Sequence, residues 1–303
     1  MGSDFDRALN ADFVAKLADE ARRDGWWADV LADPKLVIAL RGNYLNVYWR
    51  GQSLFRVEPR RSGFNITTHE KYLVDPKLAS QVTLTGRRFD ISGLVEKGFI
   101  RRYEGPETLA KMKAAAGLLS GLEKTGCHEI AVRNPGMLDC EIAFPGRVSL
   151  EDGGDDKHAP RVDIAALEVY DDRARLVFWE AKHFTNGELR SDKGLAPVLR
   201  QLRVYKKYLS VSREPIERNY TKVAENLMSI SNMGWKRPLS PLIAEVATGR
   251  RVLTLGAEPT VGLVIFGFDT AQRDHADWKA HRERLEREVS HLRAAGDAKN
   301  IRL

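Results

Sequence analysis

The spacing of apolar residues divides the chain into stretches of different period. Between Asn10 and about Arg23, Phe13, Leu17, Ala18 and Ala21 fall on one side of a helix, and Asn10 stands where a side-chain oxygen caps the first turn. Gly25 stops this helix, and Trp26 and Trp27 beyond it read as packing anchors. From Leu36 to about Ile91 the period becomes two. Val37–Leu40, Tyr44–Trp49, Ser53–Val57 and Gln81–Leu84 are predicted as short strands, with turns at Gly42-Asn43 and Gly51-Gln52.

Glu104-Gly105-Pro106 punctuates the chain, and the spacing changes there. The expected division is an N-terminal helix plus β-rich domain over 1–105 and a second domain over 106–303. A helix is predicted over Glu107–Glu123, with Leu109, Met112, Ala116 and Leu119 inward and a stop at Lys124-Thr125-Gly126. Met137–Phe144 reads as the first core strand, with Asp139 expected at an edge or facing solvent rather than as a further ligand. Gly146–Pro160, carrying Glu151, Asp152, Asp155 and Asp156, reads as a solvated loop. Apolar runs on either side of Asp171-Asp172 predict a hairpin. Gly194-Leu195-Ala196-Pro197 then opens a helix with Val198, Leu199, Leu202, Tyr205 and Leu209 on its apolar side. Helices at Tyr220–Met233 and Pro241–Thr248 form an insertion before a strand at Val261–Phe266. A closing helix turns Trp278, Leu285, Val289 and Leu292 inward. The fold class is α/β, preceded by the small β-rich unit.

The hairpin carries the candidate chemistry. With Asp171-Asp172 as a two-residue loop, opposing residue numbers sum to 343 and Asp163 faces Glu180; a four-residue loop moves Asp163 opposite Lys182. In both registers Asp163 shares a sheet face with Glu180 and Lys182, since residues two apart on a strand point the same way. Opposed side chains have Cβ atoms roughly 5 Å apart. Two carboxylates at one point suit Mg²⁺ or Mn²⁺, and a lysine beside them neutralises charge developing on a phosphate. The apolar run Leu176–Trp179 places these charges at the end of a strand buried on both faces, where unpaired charge is costly. Gln201 and Tyr205, four apart, stack on one face of the following helix.

Asp163, Glu180-Ala181-Lys182 and Gln201-Leu202-Arg203-Val204-Tyr205 resemble the PD-(D/E)xK nuclease superfamily, in particular the RecB-like and lambda-exonuclease-like branch with its Gln-xxx-Tyr helix. The resemblance implies a restriction-endonuclease-like α-β-β-β-α-β core over about the last two-thirds of the chain. It implies metal ligation by Asp163, Glu180 and the main-chain carbonyl of Ala181, with Lys182 catalytic, and Gln201 and Tyr205 bracing the site or touching the nucleic acid. Members also use an acid from the first core helix, and Glu107, Glu123 and Glu129 compete for that place. The proline that often precedes the aspartate is absent: Arg161-Val162 stands there, and Pro160 lies three before.

Composition narrows the setting. The net charge of +6 and a pI near 9.2 suit a polyanionic partner. The helix after the hairpin and its extension to Lys222 carry Arg200, Arg203, Lys206, Lys207, Arg213, Arg218 and Lys222 against Glu214 and Glu217, and Arg200, Arg203 and Lys206 are expected on a nucleic-acid backbone. In the N-terminal unit, Arg41, Arg50, Arg56, Arg60, Arg61, Arg87 and Arg88 lie among Tyr44, Tyr48, Trp49 and Phe55. A sheet with one buried and one charged face accounts for them slightly better than a binding platform for nucleic acid or a protein partner. Cys127 and Cys140 form no Cys-x-x-Cys pair, so neither a disulfide framework nor a zinc site is expected. No run has membrane length, no signal peptide is read at the start, and a cytoplasmic protein is expected. Phosphate-binding glycine loops, zinc-protease motifs and serine-hydrolase elbows are missing. The expected activity is Mg²⁺-dependent hydrolysis of DNA, RNA not excluded, in restriction, repair or phage defence. The alternative is a binding module that keeps the fold without catalysis.

Overall fold

A computed structural model describes residues 5–74, 84–85, 87–89, 98–145 and 161–303. Helix α1 (Ala11–Glu20) starts where Asn10 accepts a hydrogen bond from the Phe13 N–H, and it buries Phe13 and Leu17. A short helix α2 (Trp26–Ala32), not foreseen in the sequence, sinks Trp27 into the core. Strands β1 (Val37–Arg41), β2 (Tyr44–Trp49), β3 (Gln52–Pro59) and β4 (Phe64–Thr67) form an antiparallel sheet in that order. The second turn is Arg50-Gly51 rather than Gly51-Gln52, with φ of 48° and 71°, the paired positive values that match the twist of a tight hairpin. Residues Leu84–Thr85 (β5) and Arg88–Phe89 (β6) make a separate two-stranded ribbon; the rest of the strand expected at Gln81–Leu84 and the Gly146–Pro160 loop lie outside the described residues.

The helix expected over Glu107–Glu123 is two helices, α3 (Pro106–Leu118) and α4 (Leu122–Arg133). Gly126 is therefore no stop. It lies buried inside α4, where a Cβ would come within 2.0 Å of the Phe266 ring, so glycine here permits a close approach of helix to sheet. After α4 come β7 (Met137–Ala143), β8 (Arg161–Tyr170), β9 (Arg173–His183), α5 (Pro197–Val211), α6 (Arg213–Asn232), α7 (Pro241–Ala247), β10 (Leu253–Thr254) and β11 (Val261–Phe266). Short α8 (Thr270–Asp274), α9 (Ala276–Glu288) and β12 (Leu292–Ala295) close the chain. Leu292 thus belongs to a strand and not to the closing helix. The second sheet is mixed, ordered β12-β11-β9-β8-β7: β7, β8 and β9 are antiparallel, while β10, β11 and β12 pair in parallel. One of its faces meets α5, α6 and α7, and the other meets α4, Val37 and Ala39 of β1, and the segment ending at Ile301. Among the described residues no helix is long and apolar enough to cross a membrane.

The two sheets meet edge to edge. Arg41, at the end of β1, reaches Asp139 Oδ1 on β7 at 2.6 Å and the carbonyls of Cys140 and Glu141 at 2.6 and 3.2 Å. Asp139 is 1% exposed and also takes the Tyr220 hydroxyl at 3.2 Å, which corrects the expectation that it faces solvent. Edge strand it is, but the edge is covered by a second sheet. A buried ion pair of this kind repays its desolvation only when its other polar atoms are also bonded, as they are here. His128 on α4 makes a further tie: its Nε2–H donates to the Lys35 carbonyl at 2.9 Å and its ring packs edge-on against Trp49.

Burial, helped by the nearby cations Arg50, Arg237 and Lys113, pushes His128 down to about 4 against the pull of the Lys35 carbonyl. Its folded value lies below its ordinary 6.5, so the neutral ring favours folding above that value, and this contribution is lost as pH falls from 6.5 through about 4. The loss reaches roughly 3 kcal/mol. Urea unfolding across that window is expected to show it in the wild type, and His128→Gln is expected to flatten the slope; equal slopes would show that His128 titrates normally. Gly126→Ala is expected to cost about 1–3 kcal/mol through the Phe266 clash, seen as a lower urea midpoint at unchanged m.

Candidate active site

The hairpin forms in the register given by the two-residue loop. Tyr170 pairs with Arg173, with Asp171 at φ 50°, and pairing continues to Ile164 opposite Trp179. There β8 parts from β9. Even-numbered residues of β9 aim their N–H groups away from β8, as when Ala174 and Phe178 donate to the Val252 and Thr260 carbonyls at 2.9 and 3.3 Å. Odd-numbered residues aim theirs at β8. Past the parting, Ala181 and His183 would therefore have no strand partner, and side-chain carboxylates take the place of one. Asp163 Oδ2 accepts the Ala181 N–H at 2.8 Å, and Glu123 Oε2 accepts the His183 N–H at 3.1 Å and the Asn186 amide at 2.7 Å. The N–H and C=O of a strand residue project to the same side, so the Ala181 carbonyl faces the same gap.

This geometry changes one detail of the expected face-sharing. The Asp163 carboxylate is drawn toward the plane of the sheet by the Ala181 N–H, instead of standing upright beside Glu180. Glu141 lies between the pairs Cys140–Ile164 and Ile142–Val162, in the left-handed region at φ 52°. A non-glycine residue costs about 1–2 kcal/mol there.

Glu180 and Lys182 are almost fully enclosed, 3% and 6% exposed. Lys182 Nζ lies 2.9 Å from Glu180 Oε1 and 2.6 Å from Glu188 Oε2. The Tyr205 hydroxyl donates to the Arg161 carbonyl and approaches Glu180 Oε2 at 3.2 Å, while the Gln201 amide donates to the Tyr205 oxygen at 2.6 Å. Pro197 at the first position of α5 starts the helix whose inward face delivers both residues.

The two carboxylates differ in company. Glu180 has an ammonium and a hydroxyl against it; burial still lifts its pKa, with Lys182 and Tyr205 opposing. Asp163 is enclosed by protein yet keeps an accessible edge, and among the described residues no cation pairs with it. Burial first, then the charge of Glu180, holds its carboxyl well above the usual range, with the Ala181 N–H pulling the other way. For Lys182, burial disfavours the ammonium, but Glu180 and Glu188 outweigh it and the net shift is upward. Burial and the charges of Glu180 and Asp163 keep the Tyr205 hydroxyl protonated. Cys127, four residues after Glu123 on α4, is held as a thiol by burial and by Asp163.

Asp163, Glu180, Lys182, Gln201 and Tyr205 are thus gathered at one point. The cations Arg200, Arg203 and Lys206 are not. Arg200 is exposed on α5, Arg203 lies 3.5 Å from Glu288, and Lys206 lies 2.7 Å from Glu258. Arg213 is spent on the carbonyls of Gly256 and Ala257. Of the competing acids, Glu123 sits at the site, Glu129 lies 3.7 Å from Arg133 on its own helix, and Glu107 lies in the first turn of α3. In the N-terminal unit, Arg41 is structural, and Arg56 pairs with Glu58 and lies over Tyr44 at 3.7 Å. Sequence reasoning missed Glu188. It sits on a one-turn helix, Gly187–Leu189, too short to leave a periodic trace; only its acidity six residues after Lys182 could have pointed to it. Among the described residues no group of three or more His, Cys, Asp or Glu side chains is arranged to hold a metal ion.

A raised carboxyl value means that the folded state resists ionisation, so stability falls as pH rises from the ordinary 3.8 through the folded value. Asp163→Asn keeps an acceptor for the Ala181 N–H and removes the charge. Relative to wild type, this variant is expected to gain stability steadily between pH 4 and 8 in urea titrations; parallel pH profiles would show that Asp163 ionises freely. No family model matches the chain, and no curated protein or solved structure matches it.

Proposed function

We propose that the chain is a Mg²⁺- or Mn²⁺-dependent nuclease of the PD-(D/E)xK type that hydrolyses phosphodiester bonds of DNA. The observation that carries this reading is the parting of β8 from β9, where Asp163, the Ala181 backbone, Glu180 and Lys182 meet. Element order supports it: α4, then β7, β8 and β9, then α5, and β11 after a helical insertion. That is the helix, three strands, helix and strand which the sequence resemblance implies.

The donor set fits a small hard cation. Asp163 is a crowded carboxyl with no ion-pair partner among the described residues, and a divalent ion would offset the burial and the repulsion that raise its pKa. Asp163, Glu180 and the Ala181 carbonyl would hold it, a small oxygen set of the kind Mg²⁺ accepts because it keeps several waters. Once bound, the ion supplies an acidified water and charge neutralisation at the phosphate. The side chains do the rest. Tyr205, oriented by Gln201, fixes Glu180, and Lys182 lies where an ammonium offsets charge on a phosphate oxygen. Glu188 competes for that ammonium until substrate enters. Restriction, repair or phage defence would suit such a stand-alone nuclease.

Supercoiled plasmid, linear duplex, single-stranded DNA and RNA, each with Mg²⁺, Mn²⁺ or EDTA, test the proposal. Cutting of DNA is expected with either metal and not with EDTA. Asp163→Ala and Lys182→Ala are expected to lower the rate about 100-fold or more while circular dichroism and melting temperature show a folded chain. In calorimetry, Mn²⁺ is expected to bind the wild type and not Asp163→Ala. Undiminished cutting by both variants would reject this site, and nucleic-acid binding without cutting would leave the non-catalytic reading.

A further inference from the structure

Just past the end of β9 comes Phe184, whose N–H donates to the Phe266 carbonyl at 2.7 Å. There the surface opens into a cavity of about 390 Å³, walled by Phe184, Arg190 and residues between Ala271 and Trp278. Arg190 is its cationic feature. Its Nη1 donates to the Phe184 and Asn186 carbonyls at 2.8 and 3.1 Å. Its guanidinium carbon lies 4.9 and 4.8 Å from the ring centroids of Phe184 and Trp278. The guanidinium is thus pinned on an aromatic ledge, with Nε and Nη2 left over by these bonds.

Arg190 lacks the carboxylate partner that Lys182, Arg203 and Lys206 have, and unlike the exposed Arg200 it is pinned by bonds and rings. Lys182 has two carboxylates, and Arg203 and Lys206 have one each. Among the described residues none forms an ion pair with Arg190; burial alone, with no carboxylate opposing it, lowers its pKa. Asp277 on the cavity wall is turned to solvent and sits 3.5 Å from His275 Nδ1. A fixed, part-buried guanidinium without an anion is poised for one, and its planar fork matches a phosphate.

We infer that this cavity is a phosphate subsite, in which Arg190 receives the phosphate adjoining the one held at Lys182. The inference rests on the nuclease reading of the neighbouring site. Phe184 is two residues past Lys182, in the turn that directly follows β9, so the subsite lies a short step from the reacting centre. The phosphate can come from the interior of a strand or from its end, and the chemistry of capture is the same.

The test is fluorescence anisotropy in EDTA, where nothing is cut, over a series of KCl concentrations. The probes are a duplex with 5′-phosphate ends, the same duplex with 5′-hydroxyl ends, and a closed dumbbell with no ends. Arg190→Gln is expected to weaken binding about tenfold and to reduce the slope of log K against log salt by about one. Ala271→Glu, which adds a carboxylate to the exposed wall without touching the Arg190 bonds, is expected to do the same. An effect confined to the 5′-phosphate duplex assigns a terminal phosphate; an effect shared by the dumbbell assigns an internal one. Wild-type affinity and slope in both folded variants would overturn the inference and leave the nuclease reading intact. A wild-type chain that binds none of the probes would overturn both, whereas Arg190-dependent binding without metal-dependent cutting would reject the nuclease reading alone.

Discussion

The end of β9 has two backbone N–H groups that no strand pairs, and the site is built around satisfying them. An unpaired buried donor costs about 1–3 kcal/mol. A carboxyl oxygen accepts a hydrogen bond in either protonation state, so Asp163 and Glu123 serve Ala181 and His183. The same demand that keeps the sheet from fraying therefore gathers carboxyl groups where the strands part. On the adjoining face, alternation along β9 brings Glu180 and Lys182 to the helix that carries Gln201 and Tyr205.

That arrangement leaves an imbalance. Glu180 is paired with Lys182 and braced by Tyr205, whereas Asp163 has one backbone N–H and two carboxylates, Glu180 and Glu141, for neighbours. Folding alone would favour an asparagine or a buried cation there. Lys182 forms its ion pairs with Glu180 and Glu188, and its charge offsets only part of the burial and repulsion that act on Asp163.

Much of this was legible because strand and helix periods are local. The loop at Asp171-Asp172 offered the register that holds as far as Ile164 opposite Trp179, and the four-residue spacing put Gln201 beside Tyr205. What stayed hidden depends on contacts far apart in sequence. Gly126 reads as a helix stop until Phe266 is seen lying against it. Asp139 reads as a surface acid on an edge strand until Arg41, 98 residues earlier, is seen to cover that edge. The basic residues of α5 read as a phosphate track, yet Glu258 and Glu288 arrive from later elements to neutralise Lys206 and Arg203. Charge in sequence does not state its partner.

The link from Arg41 to β7 also bears on the site itself. The guanidinium that pairs with Asp139 holds the carbonyls of Cys140 and Glu141, and Glu141 is the residue kept at φ 52° across from the Asp163 segment of β8. A left-handed residue without glycine's freedom persists only where surrounding bonds over-determine it. Here those bonds come from the N-terminal sheet. The β-rich unit therefore does more than sit beside the second sheet: by gripping β7 it fixes the backbone against which Asp163 is set. The position of that one carboxylate is thus a property of both halves of the chain.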